Sequence, residues 1–253
     1  MLNTLIFDVD GTLAETERDG HRVAFNEAFQ ALGLDWYWDV ATYGRLLAVT
    51  GGKERIQHYI EVYGPGMPSV PDRSALVREI HVLKTRRYVE LLQRGNIGLR
   101  PGVERILREA RKSGVRLGIA TTTTPENVRV LLECNLGHDS PAWFEAIGAG
   151  DVVERKKPAP DIYEYVCARL GVEPRVCLAI EDSRNGLLSA RAANLPVLVT
   201  PGCYTQTEDF SGALAVIDGL GEPQAAATVL RGPPLDRGFV DLAVLRDLWA
   251  SAR

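Results

Sequence analysis

Two carboxylates one residue apart, Asp8 and Asp10, close the hydrophobic run Leu5-Ile6-Phe7 and are followed by Gly11-Thr12-Leu13. In an extended strand side chains alternate, so Asp8 and Asp10 share a face while Val9 turns back toward the core. Two such charges at a strand end repel, and burial raises that cost. A cation between them relieves it, and a hard divalent ion with oxygen ligands suits the pair. The plain alternative is an Asp-Gly turn that simply closes a strand. A calcium loop is excluded, because matching Asp8, Asp10, Gly11 and Glu17 to the EF-hand spacing puts apolar Ile6 at the first ligand position.

Three later segments carry compatible chemistry. Thr121-Thr122-Thr123-Thr124 follows the apolar run Leu117-Gly118-Ile119-Ala120 and offers hydroxyls and backbone N–H groups to an anion, or a plain helix cap. Lys156-Lys157-Pro158-Ala159-Pro160-Asp161 sets cations beside two stiffening prolines, so one ammonium could be aimed inward; a solvated loop is the alternative. Cys177-Leu178-Ala179-Ile180 ends in Glu181-Asp182-Ser183, a second acidic pair at a strand end that could also be an ordinary helix cap. A metal cage, a nucleophile, a hydroxyl clamp and a cation together are equipment for phosphoryl transfer.

The elements that must position these groups alternate between strand and helix, the mark of a parallel α/β sheet with ligands at its strand ends. Val103, Ile106, Leu107 and Ala110 predict a helix between Pro101 and Gly114. Strands are predicted at Arg116–Thr121, Glu145–Gly148, Val176–Ile180 and Pro196–Val199, and helices at Glu126–Cys134, Asp161–Leu170, Asn185–Ala193 and Leu235–Arg253. The first strand belongs to this sheet although residues 16–97 intervene, about 80 residues where a crossover often takes about 30. That stretch reads as an inserted helical domain. Phe25, Ala28, Phe29 and Leu32 form one apolar stripe ending at Gly33, and Ile80 to Leu92 is a second helix. Asp10-Gly11-Thr12 and Gly95-Asn96-Ile97-Gly98 bracket it as candidate hinges. The division is therefore 1–15 with 98–253 as an α/β core and 16–97 as a cap.

Composition sets wide bounds. With 253 residues and 45% hydrophobic content the chain is globular, and no apolar run approaches the roughly 20 residues of a membrane span. The net charge of −4 argues against nucleic-acid or anionic-membrane partners. Four cysteines, Cys134, Cys167, Cys177 and Cys203, form no Cys-x-x-Cys pair and read as buried thiols, which suits the cytoplasm. The N-terminus lacks a basic region ahead of its short apolar run, unlike a signal peptide. A monomer is expected.

The set Asp8-Val9-Asp10-Gly11-Thr12, Thr121, Lys157 in Lys-Pro-Ala-Pro-Asp, and Glu181-Asp182, in that order, resembles the haloacid-dehalogenase superfamily of phosphotransferases. The resemblance spans the chain. It implies a Rossmann-like core with a five-stranded parallel sheet, the Asp8 strand at its centre, and an all-helical cap in place of residues 16–97. Within that superfamily Val49-Thr50-Gly51-Gly52-Lys53-Glu54-Arg55-Ile56 resembles the cap of the CbbY proteins, phosphatases of xylulose 1,5-bisphosphate. The resemblance makes Asp8 the nucleophile and Asp10 the acid and base. It implies Mg²⁺ held by Asp8, the Asp10 backbone carbonyl and Asp182, with Glu181 direct or through water. Thr121 and Lys157 would hold the transferring phosphoryl group, with Thr122 beside them and Lys156 as the rival lysine. In the cap, Thr50, a possible helix cap, and Gly51, Gly52 and Lys53 would seat a second phosphate. Glu17 would meet a sugar hydroxyl, His21 is a candidate for the same region, and Arg45, Arg55 and Arg78 could add charge. His58, His81 and His138 read as surface histidines.

The implied partner is a small phosphosugar. A β-phosphoglucomutase-like mutase, a sugar-monophosphate or phosphoglycolate phosphatase, and a non-catalytic phosphosugar binder are the alternatives; the mutase would need a bisphosphate activator and the binder would release no phosphate. No Gly-x-Ser-x-Gly elbow is present, Gly52-Lys53 lacks the rest of a P-loop, and Gly148-Ala149-Gly150 lacks the third glycine of a dinucleotide fingerprint.

Overall fold

The computed structural model describes residues 1–66, 72–95 and 97–252. In chain order the elements are β1 (Thr4–Phe7), α1 (Arg22–Ala31), α2 (Val40–Leu46), α3 (Gly52–Tyr63), α4 (Arg73–Gln93), α5 (Val103–Lys112), β2 (Arg116–Ala120), α6 (Pro125–Leu136), β3 (Ala146–Gly148), α7 (Asp161–Leu170), β4 (Cys177–Glu181), α8 (Arg184–Ala192), β5 (Val197–Val199), β6 (Ala215–Ile217), β7 (Val229–Arg231) and α9 (Leu242–Ala250). The strands form one sheet in the order β3-β2-β1-β4-β5-β6-β7, parallel except for β7. β1 is buried along its whole length, as a strand covered by helices on both faces must be.

The five expected strands are β1 to β5, with β1 in the middle. The sheet is nevertheless seven-stranded, which corrects the five expected from the resemblance. The two extra strands have three residues each, and β7 is an antiparallel, partly exposed edge, so neither gives a periodic signal long enough to read. One face of the sheet packs on α5, α6 and α9 through residues such as Leu107, Leu131 and Leu245, and the other on α7 and α8 through Val166 and Leu187. The helix expected over Leu235–Arg253 is α9; it begins after Asp241, whose side chain accepts from the Val244 N–H, and Arg253 lies outside the described residues.

Helices α1 to α4 lie within 16–97 and enclose their own aromatic cluster. Phe25 and Phe29 project from α1 onto Trp38, with ring centroids 4.7 and 4.9 Å apart respectively, and Trp36, Tyr59 and Ile80 complete it. The far end of α4 leaves this cluster: Tyr88, Leu91 and Leu92 pack into the sheet core instead. Where the chain returns from the cap, Leu99 bridges antiparallel to Ala14, so the two connections run side by side. Asn96 of the second expected hinge lies outside the described residues. Two of the four cysteines expected to be buried, Cys134 and Cys203, are exposed; all four are free thiols. Among the described residues no helix is long and apolar enough to cross a membrane.

Candidate active site

The register of the sheet brings the chemistry together. Phe7 pairs with Ile119 on one side and Ile180 on the other, so Asp8, Thr121 and Glu181-Asp182 all emerge at the same sheet edge. The Asp8 N–H continues the ladder by donating to the Ile180 carbonyl at 3.0 Å.

Lys157 reaches this edge from the loop before α7. Its Nζ donates to Asp8 Oδ1 at 2.7 Å and to Glu181 Oε1 at 2.5 Å, and all three side chains are at least nine-tenths buried. Burial pulls the Lys157 ammonium down, but the two carboxylates outweigh it and hold the group above its ordinary range. Lys156 turns the other way, to Asp151 Oδ1 at 2.7 Å. Of the two lysines, Lys157 therefore joins Asp8. Tyr163 donates to the same Glu181 oxygen at 2.6 Å, and no residue larger than glycine fits at 186, since a Cβ there would lie 1.9 Å from the Glu181 carboxylate.

Asp8, Glu181 and Asp182 bring carboxylate oxygens within 4.8 Å of one another. Asp8 and Glu181 share the Lys157 ammonium, and Asp182 adds a third buried carboxylate. Burial pushes the Asp8 carboxyl up to about 8, with Lys157 opposing and the Glu181 and Asp10 charges adding to the rise. Burial and the charges of Asp8 and Glu181 push Asp182 well above the usual carboxylate range, against Arg100 and Lys157. This electron-rich oxygen set fits a hard divalent cation such as Mg²⁺. Asp182 packs against Gly11, whose φ of +87° suits glycine and whose Cβ would stand 2.2 Å from Asp182 Oδ2.

Asp10 faces a separate set of partners. Its Oδ1 accepts from Thr16 Oγ1 at 2.5 Å and lies 2.8 Å from His21 Nε2, and Lys84 Nζ is 2.9 Å from His21 Nδ1. Burial pushes the Asp10 carboxyl up, but His21 and the hydrogen bonds from His21 and Thr16 win and hold it at about 2. Burial depresses the Lys84 ammonium to about 8. These contacts engage Asp10 Oδ1, and Asp10 is not among the three carboxylates that cluster at Asp8.

The cavity over Asp8, about 90 Å³, is bounded by Asp10, Thr121, Thr122 and Lys157 on the core side and by Glu17, Thr50 and Arg55 on the cap side. Thr121 Oγ1 accepts from the Thr123 N–H at 3.3 Å, while Thr124, three residues on, caps α6. Glu17 accepts a hydrogen bond from Tyr43, whose phenol oxygen accepts from Arg55 Nη1 at 2.9 Å.

The cap loop differs from expectation. Gly51, with φ +99°, sits where Thr50 was expected to cap α3, because the Thr50 hydroxyl instead accepts from the Asn185 amide of the core at 3.1 Å. On the side a Cβ would take, the Glu54 carboxylate lies against Gly51 and the His81 ring against Gly52, and both glycines line a recess with His81, Lys84, Thr122 and Thr124. Lys53 faces Asp151 of the core in an ion pair and lies outside the cavity over Asp8. Of the three candidate arginines in the cap, Arg45, Arg55 and Arg78, only Arg55 turns inward: Arg45 is exposed beside Tyr63 and Thr42, and Arg78 pairs with Asp72 on the surface. His21 is buried on Asp10 and not free for a sugar. His81, expected at the surface, lines the recess behind Asp10, and burial and Lys84 depress its imidazole to about 4.

Sequence reading missed Thr16, Lys84, Tyr163, Arg100 and Asn185. Lys84 left a trace, standing at helical spacing between Ile80 and Tyr88 in the buried stripe of α4. The others carry no local signal, being polar residues in loops or on helices whose partners are remote in sequence.

A profile of haloacid dehalogenase-like hydrolases matches residues 2–194. The chain is 46% identical over 245 residues to the plasmid-encoded protein CbbY of Cupriavidus necator, covering 97% of this chain and 96% of that one. It is 52% identical over 212 residues to protein CbbY of Rhodobacter capsulatus, covering 84% and 91%. It also superimposes with a TM-score of 0.83, at 45% identity over 88% of this chain and 96% of the other, on the crystal structure of a CbbY mutant from Rhodobacter sphaeroides in complex with xylulose 1,5-bisphosphate. With the acidic edge, the inward lysine and the helical cap in place, the chain belongs to the haloacid dehalogenase-like hydrolases, in their CbbY branch, and is a phosphatase acting on phosphoric monoesters.

Proposed function

We propose that the protein removes one phosphate from a sugar bisphosphate, foremost xylulose 1,5-bisphosphate, with Mg²⁺ and through a phosphoryl group carried on Asp8. The observation that carries this reading is the Lys157 ammonium shared between Asp8 and Glu181 inside a buried set of three carboxylates. The relative solved with xylulose 1,5-bisphosphate supports the substrate.

In the first half-reaction an Asp8 carboxylate oxygen bonds to phosphorus while the bond from phosphorus to the sugar oxygen breaks, and Asp10 protonates that oxygen. His21 Nε2, 2.8 Å from Asp10, is the proton source within reach. In the second half Asp10 takes a proton from water as the water oxygen attacks phosphorus, which frees phosphate and restores Asp8. Asp10, held at about 2, is ionised at neutral pH and so in the form that accepts this proton. Thr121 and Lys157 hold the phosphoryl oxygens as charge builds on them. Asp8, Asp182 and the Asp10 carbonyl would hold the Mg²⁺, which supplies charge neutralisation at the phosphoryl group. Glu181, with Oε1 already taken by Lys157 and Tyr163, acts by fixing Lys157.

Residues 16–97 serve as the cap that excludes water and selects the sugar. Arg55, whose Nε has no protein partner among the described residues, carries the charge facing the cavity that suits the unreacting phosphate, with Thr50 beside it. Glu17 meets a sugar hydroxyl. Lys53 reaches the substrate only by leaving Asp151.

Phosphate release measured with Mg²⁺ over xylulose 1,5-bisphosphate, glucose 1-phosphate and phosphoglycolate tests the reading. Highest kcat/KM on the bisphosphate is expected. Isomerised sugar phosphate in place of free phosphate, or a preference for either monophosphate, would overturn it.

A further inference from the structure

One buried charge near the site has no part in the scheme above. Arg100 begins the core where the chain returns from the cap, and its side chain is 9% exposed. Its Nη1 donates to the carbonyls of Gly11 and, at 2.6 Å, Thr200; its Nη2 donates to those of Pro201 at 2.9 Å and Asp218 at 2.8 Å. Its Nε lies 3.6 Å from Glu15 Oε1, and its backbone N–H donates to the Leu13 carbonyl at 2.8 Å. One guanidinium therefore joins three segments that are remote in sequence: the turn after Asp10, the loop after β5 and the end of β6.

Two of these segments wall in Asp182. A Cβ on Gly11 would stand 2.2 Å from Asp182 Oδ2, and one on Gly202, the residue after Pro201, 3.3 Å from the same oxygen. Arg100 grips the backbone on both sides of that carboxylate. No lysine could do this, since a planar fork serves several carbonyls in fixed directions and an ammonium is a single point.

We propose that Arg100 is a positioning residue: by holding the Gly11 turn and the Thr200–Gly202 loop at a fixed separation, it sets Asp182 against Asp8 for the cation and so tunes metal affinity and turnover without touching substrate. The inference rests on the divalent-cation reading of the site. Groups that orient metal ligands from behind change metal affinity or activity by about 10- to 100-fold when removed.

The test compares wild type, R100A and R100K in three measurements: Mn²⁺ affinity by electron paramagnetic resonance, steady-state kinetics on p-nitrophenyl phosphate, and Tm. Weaker Mn²⁺ binding and lower kcat, each by about 10-fold or more, are expected at unchanged KM, with ethylguanidinium restoring part of both in R100A and R100K intermediate. A merely structural role would lower Tm and leave Mn²⁺ affinity and kcat of the folded protein at wild-type values; that result overturns the proposal, as does a kcat loss with wild-type Mn²⁺ affinity. Should R100A not fold, R100K carries the same readings, because it keeps the charge and loses the fork. Failure of the wild type itself to bind Mn²⁺ would instead overturn the cation reading.

Discussion

Replacing Asp8 by Asn should make the metal-free protein more stable relative to wild type as pH rises, and the size of the effect follows from the site. Asp8, Glu181 and Asp182 are buried together against the single ammonium of Lys157, so the metal-free site holds a proton that water would have taken. With its carboxyl raised from 3.8 to about 8, Asp8 is protonated in the folded protein at pH values where the unfolded chain has released that proton. Stability therefore falls as pH rises toward the folded value, the opposite of the trend for a carboxylate held by a salt bridge. Between about pH 6.5 and pH 8 a single group shifted in this way costs about 1.5 kcal/mol. His81 and Lys84 also titrate differently in the two states, but both are common to wild type and variant and cancel in the difference, while the part of the Asp182 rise that comes from the Asp8 charge is lost in D8N and acts in the same direction. The assay is urea unfolding of wild type and D8N in EDTA at the two pH values. A difference in unfolding free energy that grows by about 1.5 kcal/mol in favour of D8N is expected, and excess Mg²⁺, which displaces the proton, should stabilise wild type more at the higher pH. A difference independent of pH would refute the reasoning.

Three further outcomes follow from the geometry. Asp10→Asn should stop release of a sugar, whose alkoxide needs a proton, far more than release of p-nitrophenol, and comparable kcat losses on xylulose 1,5-bisphosphate and p-nitrophenyl phosphate would contradict the acid role. Lys84→Met removes the cation behind His21 and should lower kcat by about 10-fold or more, with substrate KM little changed; a pure KM effect would place Lys84 in substrate binding instead. Arg55→Ala should depress kcat/KM for the bisphosphate by about 10- to 150-fold, the worth of a charge-assisted phosphate contact of roughly 1.5–3 kcal/mol, and much less for p-nitrophenyl phosphate; a larger loss for Lys53→Ala than for Arg55→Ala on the bisphosphate would return the second phosphate to the loop at Gly51-Gly52-Lys53.

The core was readable because its chemistry sits at strand ends, where a strand's apolar run and its terminal residue are contiguous. Asp8, Thr121 and Glu181-Asp182 each end such a run, so one parallel register suffices to bring them together. Lys157 was chosen over Lys156 by its place before Pro158 in the resemblance, and the fold supplies the physical reason, since Lys157 meets the buried carboxylates while Lys156 turns to Asp151. The cap was legible as helices and less so as a site. Whether a helical side chain meets substrate depends on how the helices pack, and that is why Arg55 turned inward while Lys53 found Asp151. Thr50 shows the same limit: its local signal is that of a helix cap, and a tertiary partner, Asn185, outcompeted it. The partners of Asp10 depend on contacts between His21 and Lys84, 63 residues apart, that no local pattern records.

The central claim is that Asp8 carries the phosphoryl group. Enzyme mixed with xylulose 1,5-bisphosphate and Mg²⁺, quenched during turnover and treated with borohydride, should show by mass spectrometry an Asp8 reduced to homoserine, because borohydride reduces an acyl phosphate and leaves a free carboxylate alone. The account predicts that product at residue 8, absent without substrate. Rapid phosphate release with no reduction at Asp8, or reduction at another carboxylate, would contradict it.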